Sequence, residues 1–176
     1  MGEERSVFFN INDRVIKLFG NVNEESSKDI INAMMRMEKD EPRDSIDFYI
    51  NSYGGYTHDM LAIYDTMQNL KCKVNTIALG KAMSAGCFLL LAGTGVRKSY
   101  KNTRIMLHGI QFSCSYDSLV DQEIKINENR EVEKIVVDII VEHTGNSREK
   151  VEQDIKRDMF LSSKEALDYS IIDEII

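Results

Sequence analysis

The sequence has little of what marks disordered, fibrous or membrane-spanning chains. It contains one proline in 176 residues, with 43% hydrophobic and 29% charged residues, which excludes a collagen-like or disordered chain. Its longest run without a polar or charged side chain, residues 85–93, is about half of the roughly 20 residues that span a bilayer. The sequence therefore predicts one folded domain, residues 1–176, without a transmembrane segment.

The sequence also lacks basic clusters and metal-binding spacings. With 22 basic and 29 acidic residues the net charge is −7, so neither nucleic acid nor an anionic membrane is expected as a partner. Cys72, Cys87 and Cys114 are an odd number of cysteines in a chain too long to need disulfides, which predicts buried free thiols and a cytoplasmic location. No Cys-x-x-Cys and no close His/Cys spacing occurs, and no metal or other cofactor is expected.

Apolar periodicity predicts strands that alternate with helices. Strands are expected near residues 15–18, 45–50, 74–79, 104–107 and 171–176. Helices are expected from about 25 to 39, 57–70, 84–92, 118–142, 147–156 and 163–169, the last opened by a Ser162/Glu165 capping box. This order predicts an α/β fold of right-handed strand–helix–strand units.

Residues 51–55 form the first candidate functional segment. Gly54 and Gly55 follow a predicted strand and precede a predicted helix, where bare backbone N–H groups can face an anion or an oxyanion. A tight turn that serves packing alone explains the same glycine pair. Either way, the sequence predicts a turn at this place.

Ser84 is the second candidate. It follows a predicted strand and opens a short apolar helix, which is how a nucleophilic serine can be held at the positive end of a helix. A serine that merely caps the helix fits the same pattern. Because Ala82 replaces the first glycine of Gly-x-Ser-x-Gly, an α/β-hydrolase nucleophile turn is not predicted.

A serine nucleophile needs a base, and the chain offers three histidines. His108 ends a predicted strand, where a site residue would be placed, whereas His58 and His143 occupy ordinary positions at helix ends. Lys81 could act as a lysine base, but a solvated loop lysine is the simpler interpretation because a lower pKa requires burial. His108 is therefore the preferred base.

Several motifs, in order along the chain, together resemble the Clp protease proteolytic subunit (ClpP) family of the ClpP/crotonase superfamily. The motifs are Asn51-Ser52-Tyr53-Gly54-Gly55, Ala82-Met83-Ser84-Ala85-Gly86, Arg104-Ile105-Met106-Leu107-His108, His143-Thr144-Gly145 and Arg157-Asp158-Met159-Phe160-Leu161-Ser162. The similarity extends from about Val15 to Ile176. It implies a ClpP/crotonase-like α/β fold with a protruding handle helix at about residues 118–142.

The resemblance implies a serine endopeptidase with Ser84 as nucleophile, His108 as general base and Asp158 as the carboxylate that orients the imidazole. It places Gly55 and the N–H of Ala85 in the oxyanion hole. The substrates would be unfolded polypeptides or short peptides cleaved inside a chamber.

The resemblance also implies a homo-oligomer of heptameric rings stacked in pairs, with Arg157 as an oligomer contact. In the family, an ATP-driven unfoldase docks on an apolar surface. The corresponding positions here carry Asp47, Asn69 and Lys98, and burying such polar groups is unfavourable, so docking in the usual mode is expected to be weakened.

Three residues around the expected site depart from the family pattern. Tyr53 replaces the usual proline, and Gly109 and Ile110 replace a Gln-Pro pair after the base. These departures indicate a divergent member, encoded by a phage or carried as an extra copy. They also keep open a catalytically silent ClpP-like scaffold or regulatory subunit.

An acyl-CoA enzyme of the related crotonase type is a further alternative. Such enzymes share the fold and an oxyanion hole, but they have no role for Ser84, His108 and Asp158.

Overall fold

Strands and helices alternate along the chain, as the periodicity predicts. The computed structural model describes residues 6–112 and 118–176. The strands are β1 Val7–Asn10, β2 Val15–Val22, β3 Ile46–Gly55, β4 Val74–Met83, β5 Arg97–Ser99, β6 Arg104–Leu107, β7 Met159–Ser162 and β8 Glu174–Ile175. The helices are α1 Glu24–Asp40, α2 Thr57–Asn69, α3 Ala85–Leu91, α4 Leu119–Thr144, α5 Arg148–Asp154 and α6 Ser163–Asp168.

The strands form one mixed sheet around a parallel centre. β2, β3 and β4 are parallel neighbours joined through α1 and α2, while β1 adds an antiparallel edge to β2. The α/β class predicted from the sequence is therefore confirmed, and parallel pairing follows from the helical crossovers between successive strands.

The edge of β4 that faces away from β3 is divided between two partner strands. Residues Thr76 to Ala78 pair with β5, whereas Lys81 to Met83 pair with β6. β6 in turn pairs with β7 in antiparallel orientation. This division places the ends of β3, β4 and β6 and the start of β7 close together.

Apolar side chains of α1, α2 and α3 bury against the sheet. The apolar residues of α1 lie three and four apart; Ile30, Met34 and Met37 are buried and Ile31 is half-buried, while all seven residues of α3 are buried. An all-apolar helix is stable only in such an environment. α4 differs, because its buried residues begin at Val132 and its first half extends away from the core.

Three sequence predictions of local structure need correction. The turn predicted at 51–55 is the extended end of β3, which continues to Gly55, and residues 80–83 belong to β4. The strand predicted at 171–176 is only Glu174–Ile175. Neighbouring strands supply the hydrogen bonds that extend β3 and β4 beyond the apolar pattern.

The described cysteines are buried, as predicted. Cys72 and Cys87 are free thiols, and burial raises the pKa of both. Cys114 lies outside the described residues.

The predicted Ser162/Glu165 capping box of α6 is found, and α4 is capped at its C-terminus by Gly145. Within residues 6–112 and 118–176, no helix has both the length and the apolar character needed to cross a membrane.

His143 links the end of α4 to α2. Its Nε2 lies 3.3 Å from the Tyr64 hydroxyl, and its backbone carbonyl accepts from Arg97. Burial is the main cause that lowers the pKa of His143 below its ordinary 6.5; Glu142 acts in the opposite direction and Arg97 in the same one. The unfolded chain therefore takes up a proton at a higher pH than the folded chain.

We expect the free energy of unfolding to fall as the pH drops below about 6.5, because protonation then favours the unfolded chain. His143→Gln is expected to flatten this dependence in urea unfolding measured between about pH 7.5 and about pH 5.5. His58→Gln, at an exposed position, serves as the control and should keep the wild-type slope. Equal slopes for all three proteins would contradict the prediction.

Candidate active site

One cavity of about 520 Å³ lies where β3, β4 and β6 end. Ser84, His108 and Asp158, the three residues predicted to act together, all line it. The rest of its wall consists of Tyr53, Gly55, Tyr56, Thr57, Met60, Ala85, Phe88, Met106, Leu107, Gly109, Ile110, Gln111 and Val136. The fold therefore brings together residues that are far apart in the sequence.

Ser84 occupies the turn between β4 and α3 in a backbone conformation that serine rarely adopts. Its φ is 52° and its ψ is −125°, in the left-handed half of backbone space. Such conformations cost about 1 to 3 kcal/mol and cluster at functional sites. Ser84 stands at the N-cap position of α3, but its side chain makes no capping hydrogen bond. Simple helix capping therefore does not account for this serine.

The end of β3 packs directly under the Ser84 turn. Gly54 has a φ of +104°, and a Cβ atom placed on it would lie 2.7 Å from Ser84 Cβ, 2.8 Å from the Met83 carbonyl oxygen and 2.9 Å from the Ala85 nitrogen. Only glycine allows this approach. On the other side, the Ser84 N–H donates to the Met106 carbonyl of β6 at 2.8 Å.

Gly55 and Ala85, the predicted oxyanion-hole residues, both line the cavity. A Cβ atom on Gly55 would collide with the Val22 backbone carbonyl, so this position also excludes a side chain. Ala85 is the first residue of α3, and its N–H has no acceptor within the helix. Both positions thus bring backbone to the cavity that Ser84 lines.

Pairing of β6 with β7 brings His108 and Asp158 to the same end of the two strands. The antiparallel ladder ends with Leu107 opposite Met159; His108 directly follows Leu107, and Asp158 directly precedes Met159. Beyond this point the register changes, because the Gly109 N–H donates to the Ile155 carbonyl. This arrangement explains how a strand end and a loop residue come to share one cavity.

The three side chains share the cavity without being hydrogen-bonded to one another. Among the described residues, Ser84 Oγ has no hydrogen-bond partner and none joins His108 to Asp158. Instead, His108 Nδ1 is hydrogen-bonded to the carbonyl oxygen of Gly109. Asp158 is exposed to solvent.

Arg157 and Lys81 fall outside the main cavity. Arg157 is exposed, lines a neighbouring cavity with His108 and Asp158, and has no ion pair within the described part of the chain, so its predicted role as an oligomer contact stays a prediction. Lys81 is not in the described lining, and its Nζ lies 4.3 Å from the centre of the Tyr53 ring. The Lys81 ammonium group thus makes a cation–π contact with Tyr53. Its position does not support a role for Lys81 as the base.

Sequence reasoning placed Tyr53 near the site but missed the rest of the aromatic and apolar wall of the cavity. Tyr53 and Tyr56 are exposed at its rim, while Met60, Phe88 and Val136 supply apolar surface from three helices. Tyr56 directly follows the glycine pair, which was the one available signal. Within the described ranges no cluster of three or more His, Cys, Asp or Glu side chains could hold a metal.

Comparison with known families decides what kind of site this is. A family model described as Clp protease matches residues 4–176. The chain belongs to the Clp protease family. Clp proteases are peptidases, so this chain is placed among the enzymes that hydrolyse peptide bonds, and the cavity around Ser84 is its candidate active site.

Gly54→Ala in this Clp protease chain is expected to destabilise the fold by about 3 kcal/mol or more, because the new methyl group meets the Ser84 turn in a strained backbone. Gly145→Ala is the matched control: its φ is +69°, but nothing lies within 4 Å of the added Cβ. Gly145→Ala should lower the free energy of unfolding, measured in urea, by about 1 kcal/mol. Equal losses of unfolding free energy in the two variants would show that the packing of Gly54 against the Ser84 turn does not contribute to stability.

Proposed function

We propose that this Clp protease chain is a serine-type endopeptidase that cleaves unfolded polypeptides or short peptides. Ser84 is the nucleophile, His108 the general base and Asp158 the carboxylate that stabilises the imidazolium. The proposal rests on Ser84, which has a strained backbone and a hydroxyl that does not cap α3. Ser84 lines the same cavity as His108 and Asp158.

The reaction uses these groups in two steps. His108 takes the proton of Ser84 Oγ as that oxygen attacks the carbonyl carbon of the peptide bond, and the N–H groups of Gly55 and Ala85 stabilise the oxyanion. His108 then protonates the leaving amine, and an acyl group remains on Ser84. Water, activated by His108, releases the second product and restores Ser84.

An oligomeric chamber is supported by the exposed half of α4. Leu119, Val120 and Ile124 are exposed apolar side chains on the part of the helix that stands away from the core, Leu119 at 84%. A run of exposed apolar residues of this kind marks a protein interface. We propose that α4 is the handle through which copies of this chain associate as heptameric rings stacked in pairs, with Arg157 as a further contact.

The surface expected to receive an unfoldase is polar here. Asp47 accepts a hydrogen bond from Asn75 at 2.8 Å, and Lys98 pairs with Glu174 at 3.1 Å. Asn69 donates to the Asp65 carbonyl at the end of α2. Because these groups already have partners, an apolar anchor would displace hydrogen bonds without replacing them. We propose that the chain acts without the usual unfoldase or with a different one.

The remaining partner and location assignments rest on composition. The net charge of −7 and the lack of a basic run argue against nucleic acid and membrane partners. We propose a cytoplasmic enzyme that needs no cofactor.

A catalytically silent scaffold is the second candidate. It is favoured by the missing hydrogen bonds between Ser84, His108 and Asp158 and by the bond from His108 to Gly109. Such a subunit would assemble into rings but would not turn over peptides.

Ser84→Ala is expected to lower the cleavage of short fluorogenic peptides by about a thousandfold or more and to abolish labelling by a fluorophosphonate, since both reactions need the Ser84 oxygen. The measurement is a peptide assay without ATP, with the mass of the oligomer determined in the same buffer.

Ser170→Gly is the matched control, because Ser170 also has a left-handed backbone, with a φ of 66°, but does not belong to the described lining of the cavity. That variant should keep both cleavage and labelling. If the wild-type protein forms rings but neither cleaves the peptides nor is labelled, the result would support the scaffold instead.

A further inference from the structure

Two basic side chains lie side by side on the sheet, close to the candidate active site. β4 and β6 are parallel here, and their register pairs Lys81 with Arg104 and, two residues on, Met83 with Met106. Paired residues of neighbouring strands point to the same face of a sheet, and so do residues two apart on one strand. Met106 lines the cavity that contains Ser84. The basic pair is therefore two residues, or about 7 Å along the strand, from the cavity wall.

Among the described residues, no acidic side chain forms an ion pair with Lys81 or Arg104. The carboxylate of Glu165 feels the charge of Arg104, but it accepts hydrogen bonds from the N–H and the hydroxyl of Ser162 in the capping box of α6. Like charges placed side by side on neighbouring strands repel each other, so the basic pair costs stability. It stands in a chain whose net charge is −7. Two cations beside a cavity are thus available to an anion.

Tyr53 holds one of these cations at the rim of the cavity. Its side chain is 65% exposed and lines the cavity, and Lys81 Nζ lies 4.3 Å from the centre of its ring. The two residues stand on paired strands, because Ser52 of β3 is paired with Ala82 of β4. An ammonium group has three donors, and an aromatic ring on one side leaves the others for further acceptors. The contact therefore fixes the ammonium group beside the cavity and leaves it able to bind.

We propose that Lys81 and Arg104 form a subsite for a carboxylate of the peptide substrate, with Tyr53 as the residue that positions Lys81. The subsite rests on the proposed peptidase function and gives it a preference for glutamate or aspartate. An extended peptide advances about 3.3 Å per residue, so the acidic residue lies about two or three residues from the cleaved bond. A carboxylate accepts charge-assisted hydrogen bonds from both cations. Exposed charge pairs are weak, so the preference is several-fold.

Fluorogenic peptides that differ only by glutamate or glutamine at one position test this preference. The variable position is moved through the three residues on either side of the cleaved bond, and kcat/KM is compared within each pair. The wild type is expected to prefer glutamate by about fivefold at one position. Lys81→Gln and Arg104→Gln should each lower that ratio. Lys39→Gln is the control, since Lys39 is an exposed lysine of α1 that does not belong to the described lining of the cavity, and it should keep the ratio.

Two further comparisons separate carboxylate binding from a structural effect. The glutamate preference should shrink in about 0.5 M NaCl, because salt screens exposed charges. Tyr53→Phe should keep the preference, since its ring still holds the ammonium group, whereas Tyr53→Ala should lower it. Equal kcat/KM for glutamate and glutamine at every position would overturn the proposal. So would a glutamate preference that survives both Lys81→Gln and Arg104→Gln.

Binding without turnover distinguishes failure of this proposal from failure of the proposed function. Ser84→Ala protein is titrated against the same peptides, and fluorescence anisotropy is expected to show several-fold tighter binding of the glutamate peptide. If the wild type does not cleave the peptides, the peptidase is rejected, but this binding ratio still reports on the subsite. Serine-dependent cleavage without any difference between the paired peptides would retain the peptidase and reject the subsite.

Discussion

The arrangement of the candidate site depends on one close backbone approach, that of Gly54 at the end of β3 to the Ser84 turn. The added-Cβ distances of 2.7 to 2.9 Å leave no room for a side chain at Gly54. This approach lets β3 run beneath the turn, so that Gly55 reaches the cavity beside Ala85. It also accompanies the left-handed backbone of Ser84, whose cost the surrounding packing offsets.

The division of β4 between two partners completes the cavity. Its first half is occupied by β5, and its second half carries β6, whose Met106 carbonyl accepts from the Ser84 N–H. β7 then pairs with β6, so that Asp158, just before β7, and His108, just after β6, lie at the same end of the pair. Three side chains from separate parts of the chain thus meet because each directly adjoins a hydrogen-bonded strand, which fixes positions more precisely than a loop alone.

Much of the fold could be predicted because its signals are local. The buried stripe of α1, the all-apolar α3 and the Ser162/Glu165 capping box each follow from a few neighbouring residues. The ends of the long strands could not be predicted, because residues 51–55 and 80–83 are extended only through pairing with strands distant in the sequence. β1, β5 and β7, of three or four residues each, were not predicted from the sequence.

The sequence by itself determined the α/β order of elements and, through motifs that resemble one family, the residues to examine: Ser84, His108 and Asp158. These conclusions need only side-chain types and their spacing. Only the tertiary structure decided that the three share a cavity without hydrogen bonds between them and that His108 is bonded to Gly109. The physical reason is that the orientation of an imidazole ring depends on acceptors that strand pairing and helix packing bring beside it, and residue spacing carries no information about them.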